Sequence, residues 1–268
     1  MIDLKEILRL EHICYAYEEG RTALSDLSVT LSGGQKVAVL GSNGAGKSTF
    51  FLCCNGVLRP NAGRIFLSGR EVGGSRSELI RLRQSVGLVF QDADSQLIAG
   101  TVAEEISFGP MNLGLSQEEV RRRVDTAVGD LQLQPLYDRA PHDLSGGEKK
   151  RVSIADVLAM EPQLLLFDEP ASSLDPANTR LLEENLGKLA RRELGLVIAT
   201  HDVDFAWCWA DRLLVFRDGG LAADGEPEAI FSDEDLLRSC GLQQPTLFQV
   251  GKKLRLSPLP RTVADIPG

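Results

Sequence analysis

Gly41-Ser42-Asn43-Gly44-Ala45-Gly46-Lys47-Ser48 constrains this chain more than any other stretch. It follows an apolar strand pattern, Val37-Ala38-Val39-Leu40, and opens a helical pattern from Lys47 to about Asn55. The spacing G-x-x-x-x-G-K-[ST] between a strand and a helix is that of a phosphate-binding loop. Its glycines let backbone N–H groups of Asn43 to Lys47 turn inward toward β-phosphate oxygens. The helix N-terminus adds the positive end of its dipole. Lys47 is then expected to reach the β and γ oxygens, and the Ser48 hydroxyl to ligate Mg²⁺.

The surrounding pattern is that of a mostly parallel sheet. Val86-Gly87-Leu88-Val89-Phe90, Leu164-Leu165-Leu166-Phe167, Gly195 to Thr200 and Leu213-Leu214-Val215-Phe216 read as buried strands. They alternate with helical segments, among them an amphipathic stretch from Asn178 to about Glu193, which predicts an α/β fold. Leu24, Leu27, Val29 and Leu31 alternate with polar residues and predict a strand of a small antiparallel sheet near the N-terminus. Residues 61–70 read as a hairpin edge. From about 92 to 160 the chain turns helical and polar, with Ser116 to Glu119 as a helix start, so a helical subdomain is inserted between strands of the sheet. The Pro-rich tail from about 243 shows little pattern.

Composition limits the partners. Net charge is −9, and the densest basic run is Arg121-Arg122-Arg123, expected on a solvated helix face, so nucleic acid is not an expected ligand. No stretch approaches the ~20 apolar residues that cross a bilayer, and the start, Met1 to Glu6, lacks a signal-peptide core. The chain is therefore expected in the cytosol, free or docked on something else. Five cysteines show no metal-ligand spacing, and Cys53 and Cys54 read as buried thiols. The three histidines, His12, His142 and His201, lie far apart and form no Cys/His cluster that would hold a metal.

Two further motifs carry chemistry. The strand Leu164 to Phe167 stops at Asp168-Glu169, which leaves two carboxylates at the carboxyl edge of the sheet, where ligands of open α/β folds bind. Asp168 is expected to hold Mg²⁺ through its water shell, and Glu169 to activate an attacking water. Ser145-Gly146-Gly147 precedes a helical pattern and offers a hydroxyl, bare N–H groups and a dipole end, a second anion site. A chain with one complete phosphate loop does not need it for its own nucleotide. The simplest reading is that it serves the nucleotide of a neighbouring chain. A plain helix cap at Ser145 is the alternative.

Together, Leu144-Ser145-Gly146-Gly147-Glu148, the loop ending in Lys47-Ser48, Leu164 to Pro170, Ser172-Ser173-Leu174-Asp175 and His201 after a strand resemble the motif set of the ATP-binding-cassette ATPases, in that family's chain order. The resemblance runs from about residue 8 to 235. It implies a P-loop NTPase with a RecA-like core, an N-terminal antiparallel β subdomain and an inserted helical subdomain, working as a head-to-tail dimer on ATP and Mg²⁺. Residues 1–240 would form the ATPase domain, and 241–268 a short extension.

The same resemblance implies roles. The loop from Gly41 through Thr49, with Lys47, binds ATP. Tyr17 looks like the aromatic that stacks on adenine. Gln91 looks like the lid-loop glutamine that touches Mg²⁺ and water, and His201 like the switch histidine at the γ-phosphate. Ser145 to Glu148 and Asp175 look like the contributions made across the dimer. Tyr17 as core packing, Gln91 and His201 as polar strand ends, and Asp175 as a helix cap before Pro176 stay open beside these roles. Ala171 stands where Thr is common in the family, Ser173 replaces a common Ala or Gly, and Glu148 a common Gln. None of these departures removes a catalytic group.

The stretches Phe90 to Ile98, Thr101 to Leu115 and Ser153 to Met160 resemble the ATPases of energy-coupling-factor importers, especially the cobalt/nickel branch. That implies a peripheral protein at the cytoplasmic face of the membrane, driving a transmembrane coupling subunit beside a substrate-capturing membrane subunit. Its dimer partner would be a second copy or a related ATPase chain. A soluble cassette ATPase acting on ribosomes or DNA is the alternative. It is disfavoured by the single cassette and by the short span from Lys47 to Ser145, which leaves no room for long coiled coils. Intact Lys47, Asp168, Glu169 and His201 speak against a regulatory module without chemistry.

Overall fold

The computed structural model describes residues 5–18, 20–172 and 174–267. Met1 to Leu4 and Ser173, on which parts of the sequence reading fall, lie outside the described residues. The chain opens with β1 (Glu6–Ala16), β2 (Thr22–Ser32) and β3 (Lys36–Leu40), then α1 (Lys47–Cys54), β4 (Ala62–Leu67) and β5 (Arg70–Glu71). Next come α2 (Arg76–Ser85), β6 (Val86–Val89) and three helices, α3 (Val102–Asn112), α4 (Gln117–Asp130) and α5 (Gly146–Leu158). β7 (Leu164–Asp168), α6 (Pro176–Ala190), β8 (Gly195–Ala199), α7 (Val203–Trp209), β9 (Arg212–Arg217) and β10 (Gly220–Gly225) follow. The chain finishes on α8 (Pro227–Ser232), α9 (Glu234–Ser239) and α10 (Thr246–Leu254).

Two sheets result. The larger runs β10-β9-β3-β8-β7-β6, with β3 at its centre, parallel to β8 and β9, and β10 antiparallel at one edge. The smaller runs β2-β1-β4-β5 and is antiparallel throughout. Val37 to Leu40 are essentially unexposed, as expected of a parallel strand covered on both faces. One core lies between the two sheets and takes Phe50, Phe51, Cys53 and Cys54 from α1. A second joins the other face of the large sheet to α3, α4, α5 and α6. A third gathers Trp207, Phe231 and Phe248 beneath the C-terminal helices. Cys53 and Cys54 are fully buried, and burial pushes the Cys53 thiol up to about 12, so it is inert at neutral pH.

Three differences from the sequence reading have physical reasons. First, α6 starts two residues before Asn178, because Asp175 accepts hydrogen bonds from the N–H groups of Ala177 and Asn178 (both 2.9 Å), and Pro176 fits the first helical turn. Second, Arg122 and Arg123 do not simply face water. With Glu119 and Glu161 they form a network that ties α4 to the end of α5, and the Arg123 side chain is only 11% exposed. Third, the tail beyond 243 is ordered against the core. Phe248 packs edge-on to Trp207 at 5.1 Å, the Trp207 indole donates to the Pro260 carbonyl, and the Arg261 guanidinium lies over the Trp207 ring while capping the carbonyls of Trp207 and Ala210.

Candidate functional site: a phosphate-loop cavity at the carboxyl edge of the sheet

The turn between β3 and α1 forms the floor of a cavity of about 480 Å³. Two glycines there are required by space as well as by backbone angle. At Gly41 (φ 147°) a Cβ would sit 2.5 Å from the Phe216 carbonyl oxygen, and at Gly46 (φ 106°) 2.6 Å from that of Ala23. Asn43, Gly44, Gly46, Lys47, Ser48 and Thr49 line the cavity; Gly41, Ser42 and Ala45 do not. The expectation of a continuous run of inward N–H groups is corrected at Ala45, whose N–H closes the loop by donating to the Ser42 carbonyl at 3.1 Å. Lys47 is 6% exposed, and its amine donates to the Gly41 carbonyl at 2.7 Å. Burial lowers its pKa, while the nearby Glu169 and Asp168 carboxylates act in the opposite direction.

The opposite wall comes from β7 and the strands beside it. Asp168 ends β7 and Glu169 follows in a left-handed conformation (φ 45°), held by its N–H to the Ala199 carbonyl (3.0 Å) and by the Ser172 hydroxyl, which donates to the Glu169 carbonyl (2.8 Å). His201 Nδ1 lies 2.9 Å from Glu169 Oε2, and the imidazole is otherwise open to water. Gln91, just past β6, reaches the same cavity. Tyr17 directly follows β1 of the antiparallel sheet. Its ring is 41% exposed and its hydroxyl is 3.0 Å from Thr49 Oγ1, so it is a wall of the cavity rather than core packing.

Sequence reasoning missed Arg21, which also lines the cavity beside Gly44. Its only sequence signal is a cation four residues after Tyr17, too weak to single out.

Ser145, Gly146, Gly147, Glu148 and Asp175 lie outside this cavity. Ser145 caps α5 in a reciprocal box with Glu148: the Ser145 N–H and hydroxyl both donate to Glu148 Oε2 at 2.8 Å. Those bonds hold the Glu148 carboxyl below its usual range. The Glu148 carboxylate is therefore a cap that takes up the Ser145 N–H and hydroxyl, and the anion-binding groups left at this helix start are the N–H groups of Gly146 and Gly147. Gly147 is pressed against α6, where a Cβ would meet Asn178 Oδ1 at 2.1 Å. Asn178 in turn donates to Asp175 at 2.6 Å, so Asp175 does act as a helix cap and also fixes the Asn178 side chain that lies against Gly147.

A family model described as ABC transporter matches residues 24–172, more than half of the chain and all the elements from the phosphate loop through Ser172. This chain belongs to the ABC transporter family. A cobalt import ATP-binding protein, CbiO, of Rhodobacter capsulatus is 48% identical over 91% of this chain and 87% of its own length. An energy-coupling factor transporter ATP-binding protein, EcfA2, of Methanospirillum hungatei is 42% identical over 98% of this chain and 68% of its own. The structure of CbiO1 from Clostridium perfringens superimposes with a TM-score of 0.77 at 36% identity, covering 94% of this chain and all of that one. A dimeric ATP-binding cassette bound to ADP and phosphate superimposes at 0.73, with 26% identity over 82% of this chain and 99% of that one. As in those cassettes, the ABC chain described here is an α/β protein with a mostly parallel sheet and a second, antiparallel one. Among its described residues no helix is long and apolar enough to cross a membrane.

Proposed function

We propose that this ABC chain is the ATP-hydrolysing subunit of a membrane importer of the energy-coupling-factor type, serving cobalt, nickel or another micronutrient, and that it works as a dimer closing on two nucleotides. The observation that carries the dimer is the split of the motifs. Tyr17, the phosphate loop, Gln91, Asp168, Glu169 and His201 converge on one cavity, whereas Ser145-Gly146-Gly147 lies outside it on a capped helix start. A second chain placed head to tail supplies the missing half. The names of the relatives support import as the task.

Within each site Tyr17 stacks on the base, the loop amides and Lys47 hold the β and γ phosphates, and the partner's helix start closes on the γ-phosphate. Ser48 on the floor and Gln91 and Asp168 on the facing wall offer oxygen donors to the same cavity and would hold a Mg²⁺ ion, a hard cation that prefers such ligands. That ion would neutralise charge on the phosphates. Glu169 accepts the proton of the attacking water, and His201, hydrogen-bonded to Glu169, contacts the γ-phosphate. Hydrolysis removes the group bridging the two chains, so the closed state binds ATP better than ADP, and that difference drives the cycle.

The residues through about 240 act as one cassette with the helices of about 92–160 inserted, and 241–268 extend it. The docking face for a transmembrane partner is the lid region. Ile98 (77% exposed), Phe108 (55%) and Met111 (65%) present large apolar side chains there, and the Ile98 N–H is anchored to Glu105 of α3 at 2.8 Å. The protein is thereby held at the cytoplasmic membrane face, next to a substrate-capturing subunit. Pull-down of the tagged chain from detergent-solubilised native membranes tests this. Recovery of a multi-span protein with a small membrane subunit supports the importer. Recovery of ribosomes or DNA-repair proteins alone overturns the transport assignment and leaves the ATPase chemistry standing.

A further inference from the structure

Lys150 is a charged side chain that the cycle above does not use, and it is only 3% exposed. Burying an ammonium group is costly unless dipoles replace its water. Here two carbonyls do so: the amine donates to Phe90 O at 2.8 Å and to Gln91 O at 2.7 Å. Phe90 and Gln91 leave β6 and start the lid loop, while Lys150 sits in the first turns of α5, five residues past Ser145. The same loop meets α5 at two further points. Lys149 Nζ is 2.5 Å from Asp94 Oδ1. Gln96 donates to the Ser153 carbonyl (3.0 Å) and the Asp156 carboxylate (3.3 Å), and its own oxygen accepts from the Phe90 N–H at 3.3 Å. Of the three attachments, the Lys150 one is the most deeply buried and is the one made to the backbone of Gln91 itself.

Gln91 faces this chain's own cavity, whereas the start of α5 carries Ser145 and Gly147 outside it. A rigid connection between them joins two different nucleotides. We propose that Lys150 is the positioning residue that makes the lid loop move with α5, so that occupation of the Ser145–Gly147 half-site by the neighbour's nucleotide resets Gln91 in this chain's own site. The inference rests on the split-site reading above. Lys150 touches neither nucleotide; it acts through the Gln91 backbone.

Two measurements on the full chain test it. In Lys150→Met, which keeps the length of the stem and removes the donor, amide exchange of residues 90–96 should quicken by about tenfold or more, while that of residues 152–158 stays put. Unchanged lid exchange overturns the proposal whether or not the preparation hydrolyses ATP. The second is a double-mutant cycle on kcat and on the Hill coefficient for ATP. Lys150→Met and Gln91→Ala should each lower both, and the double variant should fall no further than the worse single one, because both break one path. Fully additive losses, or a Lys150→Met enzyme that loses only thermal stability and keeps its cooperativity, overturn it. An inactive parent protein counts against the reading of the site instead, and leaves the exchange result to decide on Lys150. Should Lys150→Met not fold, Lys150→Gln, whose shorter amide cannot span both carbonyls, carries the same two measurements.

Discussion

At the scale of single residues the site depends on a few backbone positions that leave no choice of side chain or angle. Glu169 holds a left-handed conformation uncommon for a residue with a Cβ, and its amide, its carbonyl and its carboxylate each have a partner from a different residue. That arrangement aims the carboxylate at the cavity, so Glu169→Gln, which keeps the shape and loses the base, should cut turnover by roughly 10²–10⁴. The variant should also accumulate as an ATP-bound dimer on size exclusion; near-normal turnover would remove Glu169 from the role of base. Gly147 gives a second test. An added methyl in Gly147→Ala pushes Asn178 away from Asp175, so ATP-dependent dimerisation should weaken by about tenfold or more, as expected for about 1–3 kcal/mol of overpacking. Nucleotide binding to the phosphate loop should stay unchanged, and equal losses in both assays would mean the change is felt outside the α5–α6 contact. These positions were legible in the sequence because each motif encodes a local demand: a turn only glycine can make, a carboxylate ending a strand, a cap before a helix. Arg21 was not, because what brings it to the cavity is the packing of one sheet against the other.

At the scale of elements the lid loop and α5 are joined by side-chain bonds from Lys149, Lys150 and Gln96. Asp156 lies in their seam, and burial raises its pKa to about 7, with the Glu105 charge adding to the effect and the Gln96 hydrogen bond opposing it. The folded protein thus keeps a proton that the unfolded chain gives up from about pH 4 upward. The cost of ionising Asp156 is absent below that value and complete above pH 7, and stability from this group falls as pH rises through the window. Asp156→Asn should therefore raise the melting temperature more at pH 8 than at pH 5. An equal change at both would show that the carboxyl is not desolvated. Not every element was read from the sequence. α2 exposes most of its surface and buries Leu82 alone, so no apolar stripe announces it. Its signal was the capping box of Ser75 and Glu78, where the Ser75 N–H donates to the Glu78 carboxylate at 2.9 Å.

At the scale of the whole molecule three cores are joined by one sheet, and the C-terminal segment seals the third. Asp204, in the first turn of α7, accepts from the Thr246 N–H (2.5 Å) and hydroxyl (3.1 Å), while Arg261 caps the other end of that helix. The tail is thus fastened to the helix that follows His201. Phe248→Ala should cost about 3–5 kcal/mol, because the ring is fully buried among Trp207 and Phe231. A melting temperature within a degree of the parent's would show that the tail is an ornament. Its order was illegible from sequence because its partners lie some forty to fifty residues away and its own apolar residues are few. The central position of β3 has a consequence for synthesis. The strand that ends at the phosphate loop pairs with β8 and β9, which begin at Gly195 and Arg212. At a translation rate of about 5–20 residues per second, β3 waits on the order of ten seconds or more on the ribosome without either neighbour. The phosphate loop is thus synthesised long before the strands that brace it, and its supporting sheet can close only once the residues of β8 and β9 have been made.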